Sequence, residues 1–158
     1  MELAVDTKTH IGVQCLQLRM NDRKLAAFME EITGTAPLKH FEGRIYRMAP
    51  GADHYDTWHD DVTQGRRVGM SINLSPSPYR GGTFTIRRLG SDQIIRSMPN
   101  QGLGDAIFFR IDDSLQHMVS KMEGTASKTA FAGWFHDVST PSDFLRMPTM
   151  QASPSASS

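Results

Sequence analysis

Three residues of this chain carry side chains that could bind a reactive metal: His59, Asp61 and His117. Two imidazoles and one carboxylate form the ligand set that holds one side of an Fe(II) ion and leaves its other coordination positions open. His59 and Asp61 are two residues apart, so on an extended segment their side chains project to the same side. His117 follows Asp61 by 56 residues (117 − 61), enough for several strands to fold back around the ion. The spacing therefore predicts an open metal centre suited to oxygen chemistry.

Spacing alone leaves the choice of histidine open. His54 and Asp56 have the same separation as His59 and Asp61. A three-histidine centre made of His54, His59 and His117 would also suit a metal enzyme of the cupin type. A histidine close to tryptophan and tyrosine can equally be an ordinary packed or surface residue. The surrounding sequence has to decide between these alternatives.

Length and composition indicate the broad class of protein. The 158 residues suffice for one domain with one core. The 17 Lys and Arg residues balance the 17 Asp and Glu residues, so bulk charge does not favour nucleic acid as a partner. Cys15 is the single cysteine, which excludes an intramolecular disulfide and favours a cytoplasmic location. No stretch approaches the roughly 20 apolar residues that cross a bilayer, so no membrane partner is expected.

Hydrophobic periodicity predicts one helix followed by many strands. The helix is expected within residues 21–33, with Asn21 or Asp22 as its N-cap and Gly34 as its end. Its apolar residues at helical spacing are Leu25, Phe28, Met29 and Ile32. Short β-branched and aromatic runs between turn residues then predict strands at 44–49, 67–74, 82–88, 92–97, 104–110, 115–122 and 127–136. This crowding favours an all-β, double-sheet jelly roll.

We expect a single domain over residues 1–146, with the barrel at about 44–136. Residues 147–158 are rich in Ser, Pro and Ala, which predicts a disordered tail. Trp58 and Trp134 are expected to be core aromatics rather than substrate platforms.

Six motifs occur in a fixed order along the predicted barrel. They are Tyr46-x-x-x-x-Gly51, HYDTWHDD at 54–61, SINLSPSPYRGGTFTIR at 71–87, GDAIFFR at 104–110, His117-Met-Val119 with Gly124, and KTAFAGWF at 128–135. In type and order they resemble motifs of the 2-oxoglutarate and Fe(II)-dependent dioxygenases, especially the prolyl-hydroxylase-like branch. The resemblance covers about residues 44–136 and favours His59 over His54 as the metal ligand.

The resemblance implies a double-stranded β-helix, cupin-like in form, in which His59, Asp61 and His117 bind Fe(II). It also implies 2-oxoglutarate as cosubstrate, dioxygen as oxidant and a stimulatory effect of ascorbate. The implied reaction is hydroxylation, or another oxidation, of an unactivated C–H bond in a small-molecule or peptidyl substrate, with release of succinate and carbon dioxide. Related halogenases lack the carboxylate, so Asp61 argues for oxygenation. Fold resemblance does not guarantee chemistry, and a non-catalytic cupin-like module that binds a ligand or a metal is the alternative.

The resemblance further implies three residues that contact the cosubstrate. Lys128 stands eleven residues after His117, where most of the branch carries an arginine that neutralises the distal carboxylate of 2-oxoglutarate. An ammonium can do this as a point charge, although a solvated strand-end lysine is the alternative. Asn73 and Tyr46 take the places of cosubstrate contacts. They could instead be a turn-initiating Asn beside prolines and an ordinary strand Tyr.

The substrate is indicated only loosely. Four arginines flank the predicted strands near the metal and would suit an anionic substrate group, unless they form a solvated sheet face. They are Arg66, Arg67, Arg87 and Arg88. The small size of the chain favours a small molecule or a short peptide.

Overall fold

The computed structural model describes residues 2–3, 10–52, 55–63 and 65–138. Within these residues the elements are β1 (Glu2–Leu3), α1 (Ile11–Met20), α2 (Arg23–Thr33), β2 (His40–Met48), β3 (Asp56–His59), β4 (Arg66–Asn73), β5 (Arg80–Gly81), β6 (Phe84–Arg88), β7 (Ile94–Met98), β8 (Ala106–Arg110), β9 (Leu115–Val119), β10 (Met122–Glu123) and β11 (Lys128–His136). The predicted tail at 147–158 and the alternative ligand His54 lie outside the described residues.

Helix α2 confirms the predicted helix and both of its ends. The Asp22 carboxylate accepts hydrogen bonds from the backbone N–H groups of Lys24 and Leu25, at 2.8 and 3.4 Å. Gly34 ends the helix in the left-handed conformation that glycine adopts without steric cost, with φ of 62°. Two apolar residues of the predicted face, Phe28 and Ile32, are nevertheless 53% exposed. The face that packs against the sheet is therefore narrower than the sequence pattern indicates.

Helix α1 was not predicted, because its apolar residues do not fall on one face. Val13 and Met20 are buried, whereas Ile11 and Leu18 are each 75% exposed. A polar side chain attaches the end of the helix to the sheet: Asn21 accepts from the backbone N–H of Phe41 at 2.8 Å and donates to its carbonyl at 3.1 Å. With these two bonds the Asn21 side chain pairs with the backbone of Phe41 on β2, as a neighbouring strand would.

The larger sheet has five antiparallel strands in the order β1-β2-β11-β4-β8. One face packs against the helices and forms the main hydrophobic core, in which Phe131, Met29 and Val68 are fully buried. Residues on strands β2 and β11 alternate between the two faces. Tyr46, directly opposite Ala130, therefore points away from the helices and lines a cavity.

A second sheet of four strands, in the order β3-β9-β6-β7, covers the other side of that cavity. Aromatic contact joins the two sheets, with the rings of Phe84 on β6 and Phe109 on β8 4.8 Å apart. Two packed antiparallel sheets of this form are a jelly roll, and the predicted fold class is confirmed. Each of the seven predicted strands has a counterpart, but β3, which carries His59, was not among them. Neither helix in the described part of the chain is long and apolar enough to span a membrane.

Candidate metal centre and cavity

The two histidines of the candidate centre lie opposite each other on neighbouring strands. His59 at the end of β3 pairs in register with His117 on β9. Directly paired residues of an antiparallel ladder share one face, so their side chains meet. The two ring centroids are 4.3 Å apart and the rings are inclined by 58°. Chain folding thus brings together residues that are distant in sequence.

Asp61 joins them through a turn rather than through strand alternation. Strand β3 ends at His59, and Asp61 has φ of 58°, the left-handed region that Asp tolerates better than most residues. The expectation that one extended segment presents both side chains is therefore wrong. The turn places Asp61 Oδ2 at 3.3 Å from His117 Nε2, and Oδ1 at 3.7 Å from His59 Nε2.

The Asp61 carboxylate is held by two further side chains. Trp134 Nε1 donates a hydrogen bond to Oδ2 at 2.8 Å, and Arg66 donates to Oδ1 at 3.3 Å. The Arg66 guanidinium also lies 3.6 Å from the centre of the Trp134 ring. Trp134 was expected to be a core aromatic, and its role as a hydrogen-bond donor was not foreseen.

Burial by itself would raise the pKa of Asp61, but the hydrogen bonds from His117 and Trp134 and the nearby imidazoles outweigh it and leave the pKa below its ordinary value. The carboxylate is therefore ionised at neutral pH. An ionised, oriented carboxylate is the form that a divalent metal requires.

The histidine rings are also oriented by their surroundings. His59 Nδ1 lies 2.6 Å from the carbonyl oxygen of Thr57, so Nδ1 carries the proton and Nε2 is left free as a ligand. His117 is buried between Phe84 and Phe109, at ring distances of 5.2 and 4.7 Å. Gly69 makes room for Phe109, since a Cβ there would come within 2.1 Å of that ring.

The three residues fit a single divalent metal. One ligand atom from each of His59, Asp61 and His117 lies within 4.8 Å of the other two. His117 Nε2 lies 3.3 Å from Asp61 Oδ2 and His59 Nε2 lies 3.7 Å from Asp61 Oδ1, so each imidazole faces a different oxygen of the carboxylate. The donor set of two imidazoles and one carboxylate is that of a facial triad.

A cavity of about 320 Å³ adjoins this centre, large enough for a small molecule. Its lining is Arg44, Tyr46, Met48, Asp56, His59, Asp61, Met70, Ser71, Phe84, Ile107, Phe109, His117, Val119, Lys128, Ala130, Ala132, Gly133 and Trp134. Apolar side chains form most of this wall, and the charged groups are few.

Lys128 supplies a buried positive charge to the cavity wall. The residue is only 5% exposed, so the alternative of a solvated strand-end lysine is wrong. Its ammonium donates to the carbonyl of Gly82 at 2.8 Å, and within the described chain no carboxylate lies within 4.0 Å of it. Burial lowers the pKa of Lys128 to about 8. A buried cation without a counter-ion is costly unless a ligand supplies one.

The segment from Gly82 to Phe84, at the start of β6, connects this ammonium to the metal centre. Gly82, which accepts the Lys128 hydrogen bond, is two residues before Phe84, whose ring packs against His117. One segment therefore contacts both the lysine and a candidate metal ligand.

Of the other two predicted cosubstrate contacts, the structure places one on the cavity wall and the other away from it. Tyr46 lines the cavity, and its hydroxyl accepts a hydrogen bond from Arg44 Nε. Asn73 is fully buried and does not line the cavity. Its amide donates to the carbonyl of Gly102 and accepts from the N–H of Ser75, both at 2.9 Å. These contacts are those of the turn-forming alternative.

Most of the four flanking arginines have partners within the protein. Arg66 binds Asp61, and Arg67 Nε lies 2.5 Å from the carboxylate of Asp137. Arg87 bonds to Gln116 and lies 4.1 Å from the centre of the Trp58 ring. These pairings weaken the expectation that the arginines recognise a substrate anion.

The sequence of residues 43–136 matches the profile of the 2OG-Fe(II) oxygenase superfamily, and the chain belongs to that family. No curated protein matches it by sequence. Among solved structures it is similar to an oxidoreductase of the 2OG-Fe(II) oxygenase family from Burkholderia pseudomallei, with 17% identity, a TM-score of 0.58 and coverage of 78% of this chain and 57% of that one. It is also similar to a Pseudomonas putida prolyl-4-hydroxylase, with 17% identity, a TM-score of 0.61 and coverage of 85% and 71%. At these identities the likeness describes the fold, and the chain spans little over half of the Burkholderia protein.

Proposed function

We propose that this chain is an Fe(II)- and 2-oxoglutarate-dependent dioxygenase that hydroxylates an unactivated C–H bond of a small-molecule or peptidyl substrate. The observation that carries the proposal is the convergence of His59, Asp61 and His117 on the wall of a cavity that also holds the unpaired ammonium of Lys128. A metal triad and a cation in one cavity of this size suit a dicarboxylate cosubstrate chelated at one end and neutralised at the other.

His59, Asp61 and His117 would hold the iron. When bound, iron with 2-oxoglutarate and dioxygen supplies the oxidising chemistry, in which the cosubstrate gives succinate and carbon dioxide and the substrate gains one oxygen atom. The protein's own contribution is orientation. The indole of Trp134 and the guanidinium of Arg66 fix the carboxylate, and the Thr57 carbonyl fixes the tautomer of His59.

Lys128 would pair with the distal carboxylate of 2-oxoglutarate. Its ammonium already has one hydrogen bond, to Gly82, and has further donors for a carboxylate. The hydroxyl of Tyr46, on the same cavity wall, is a second candidate contact. Asn73 would act indirectly, by fixing the turn after β4 through Gly102 and Ser75.

The apolar wall would protect the reaction from bulk water. Met70, Ile107 and Phe84 line the same cavity as the metal ligands. A lining of this kind lowers the local dielectric and strengthens the pairing of Lys128 with an anion. A reducing, cytoplasmic location, proposed from the single cysteine, would keep the iron ferrous.

The test is turnover with Fe(II), ascorbate and 2-oxoglutarate, with succinate measured by mass spectrometry. Peptides containing proline are a rational first substrate class, because a prolyl-4-hydroxylase shares the fold. We expect succinate from the wild type, more of it with an accepted substrate, and a mass gain of one oxygen in that substrate. The matched controls are His117→Ala and Asp61→Ala, which should give none.

A non-catalytic ligand-binding module would behave differently. It would bind 2-oxoglutarate, and this binding would appear as a thermal shift that depends on Lys128. It would form no succinate with any substrate tested. That combination of results would overturn the proposed reaction and keep the ligand site.

A further inference from the structure

A second group of metal-binding side chains lies on the larger sheet, next to Trp134 and separate from the triad in its ligands. His40 at the start of β2 pairs in register with His136 at the end of β11, and Glu42 shares a face with His40 because it is two residues on. One ligand atom from each of the three residues lies within 4.8 Å of the other two. Strand pairing, rather than chance proximity of mobile surface groups, sets this arrangement.

The two imidazoles are left with unused nitrogens. His40 Nδ1 and His136 Nε2 are both buried, and neither has a hydrogen-bond partner in the part of the chain that the structure describes. A buried ring nitrogen without a partner is unfavourable, so each position calls for a ligand or a proton acceptor.

Simple packing does not explain the arrangement fully. The rings are stacked, with centroids 4.5 Å apart and planes inclined by 10°, as in an ordinary aromatic pair. Stacking alone leaves both nitrogens without partners. A bound cation would give each nitrogen a partner, which requires the rings to turn out of the stacked arrangement.

We propose that His40, Glu42 and His136 form a second site, which takes a divalent late transition-metal ion with Zn²⁺ as the best match. Two imidazoles and one carboxylate form a donor set that Zn²⁺ accepts, with water or another ligand in the fourth position. Glu42 is exposed, so the site opens to solvent and its ion can exchange. Because the ligands come from both β2 and β11, a bound ion also cross-links these two neighbouring strands.

This site is distinct from the iron centre and does not depend on the proposed reaction. Trp134 lies between the two groups: it pairs with Glu42 in the β2–β11 register, and its indole N–H donates to Asp61. Variants can therefore remove one site at a time.

The test is metal stoichiometry after equilibration with buffered Zn²⁺, measured by mass spectrometry of the gel-filtered protein. We expect two equivalents for the wild type, one for His40→Gln/His136→Gln and one for His59→Ala/His117→Ala. His10→Gln, an exposed histidine outside both groups, is the matched control and should keep two. Equal Zn²⁺ content in the wild type and in His40→Gln/His136→Gln would overturn the proposal, whether or not the triad binds Zn²⁺.

A milder variant guards against misfolding of the double substitution. Glu42→Gln changes only an exposed side chain, so the fold should persist. We expect Zn²⁺ to bind the second site of this variant about tenfold more weakly or worse, and to raise its thermal midpoint less than that of the wild type. Unchanged Zn²⁺ affinity in folded Glu42→Gln would contradict the assignment, whatever the outcome of the succinate assay.

Discussion

The hydrogen bond from Trp134 Nε1 to Asp61 Oδ2, 2.8 Å long, joins two residues 73 positions apart. Trp134 belongs to β11 of the larger sheet, whereas Asp61 follows β3 of the smaller one. The two histidines of the candidate iron site belong to the smaller sheet, whereas this bond attaches the carboxylate of the site to the larger sheet. The geometry of the site depends on how the two sheets pack.

Trp134→Phe should weaken iron binding while preserving the fold. The substitution keeps an aromatic ring beside Arg66 but removes the indole donor to Asp61. Loss of a group that orients a metal ligand typically costs about 10- to 100-fold in metal affinity. Anaerobic Fe(II) titration measures this directly. Trp58→Phe is the matched control, since Trp58 stacks with Arg87 and does not line the cavity, and it should leave the affinity unchanged.

KM for 2-oxoglutarate should rise with pH, and the pKa of Lys128 sets the pH range in which it rises. Its pKa is lowered to about 8 by burial, and only the ammonium form attracts a carboxylate. Above this pKa the protonated fraction falls about tenfold per pH unit, and KM for 2-oxoglutarate should increase accordingly. Steady-state kinetics between pH 7 and 10 provide the measurement. Lys128→Arg, whose guanidinium stays charged, should flatten the profile, and an equally steep profile in that variant would remove the assignment.

Lys128→Met should make the unliganded protein more stable. The folded-state pKa of Lys128, about 8, is below its ordinary 10.5, so the cost of burying the charge is fully present below pH 8 and disappears as pH rises toward 10.5. A methionine avoids this cost, which is on the order of 1–3 kcal/mol at pH 7. Urea unfolding at pH 7 and pH 10 measures it, and the gain should shrink at the higher pH. A destabilised Lys128→Met at both pH values would show that the ammonium is a structural group.

The sequence predicted the triad because its members are marked by residue type, spacing and surrounding motifs. Their actual convergence depends on a turn with positive φ at Asp61, which strand alternation does not predict. Helix α1 was missed since its apolar residues spread around the helix, with Ile11 and Leu18 left exposed. The role of Trp134 could not be predicted from the sequence, because its indole N–H meets its partner only when the two sheets pack together.

Two further groups of residues illustrate the same limits. Lys128 was proposed from the family resemblance, at its position eleven residues after His117, but whether it was buried or solvated needed the structure. The His40, Glu42 and His136 group had a sequence signal that was overlooked. His40 and Glu42 have the same separation as His59 and Asp61, and only the β2–β11 register supplies the third ligand.

The central claim is that His59, Asp61 and His117 bind the iron. Anaerobic addition of Fe(II) and 2-oxoglutarate, followed by visible absorption of the chelate, tests it most directly in the wild type, Asp61→Ala, His117→Ala and His54→Ala. We predict a charge-transfer band in the wild type and in His54→Ala, and none in Asp61→Ala or His117→Ala. A band that survives in Asp61→Ala and is lost in His54→Ala would contradict the account and favour a three-histidine centre.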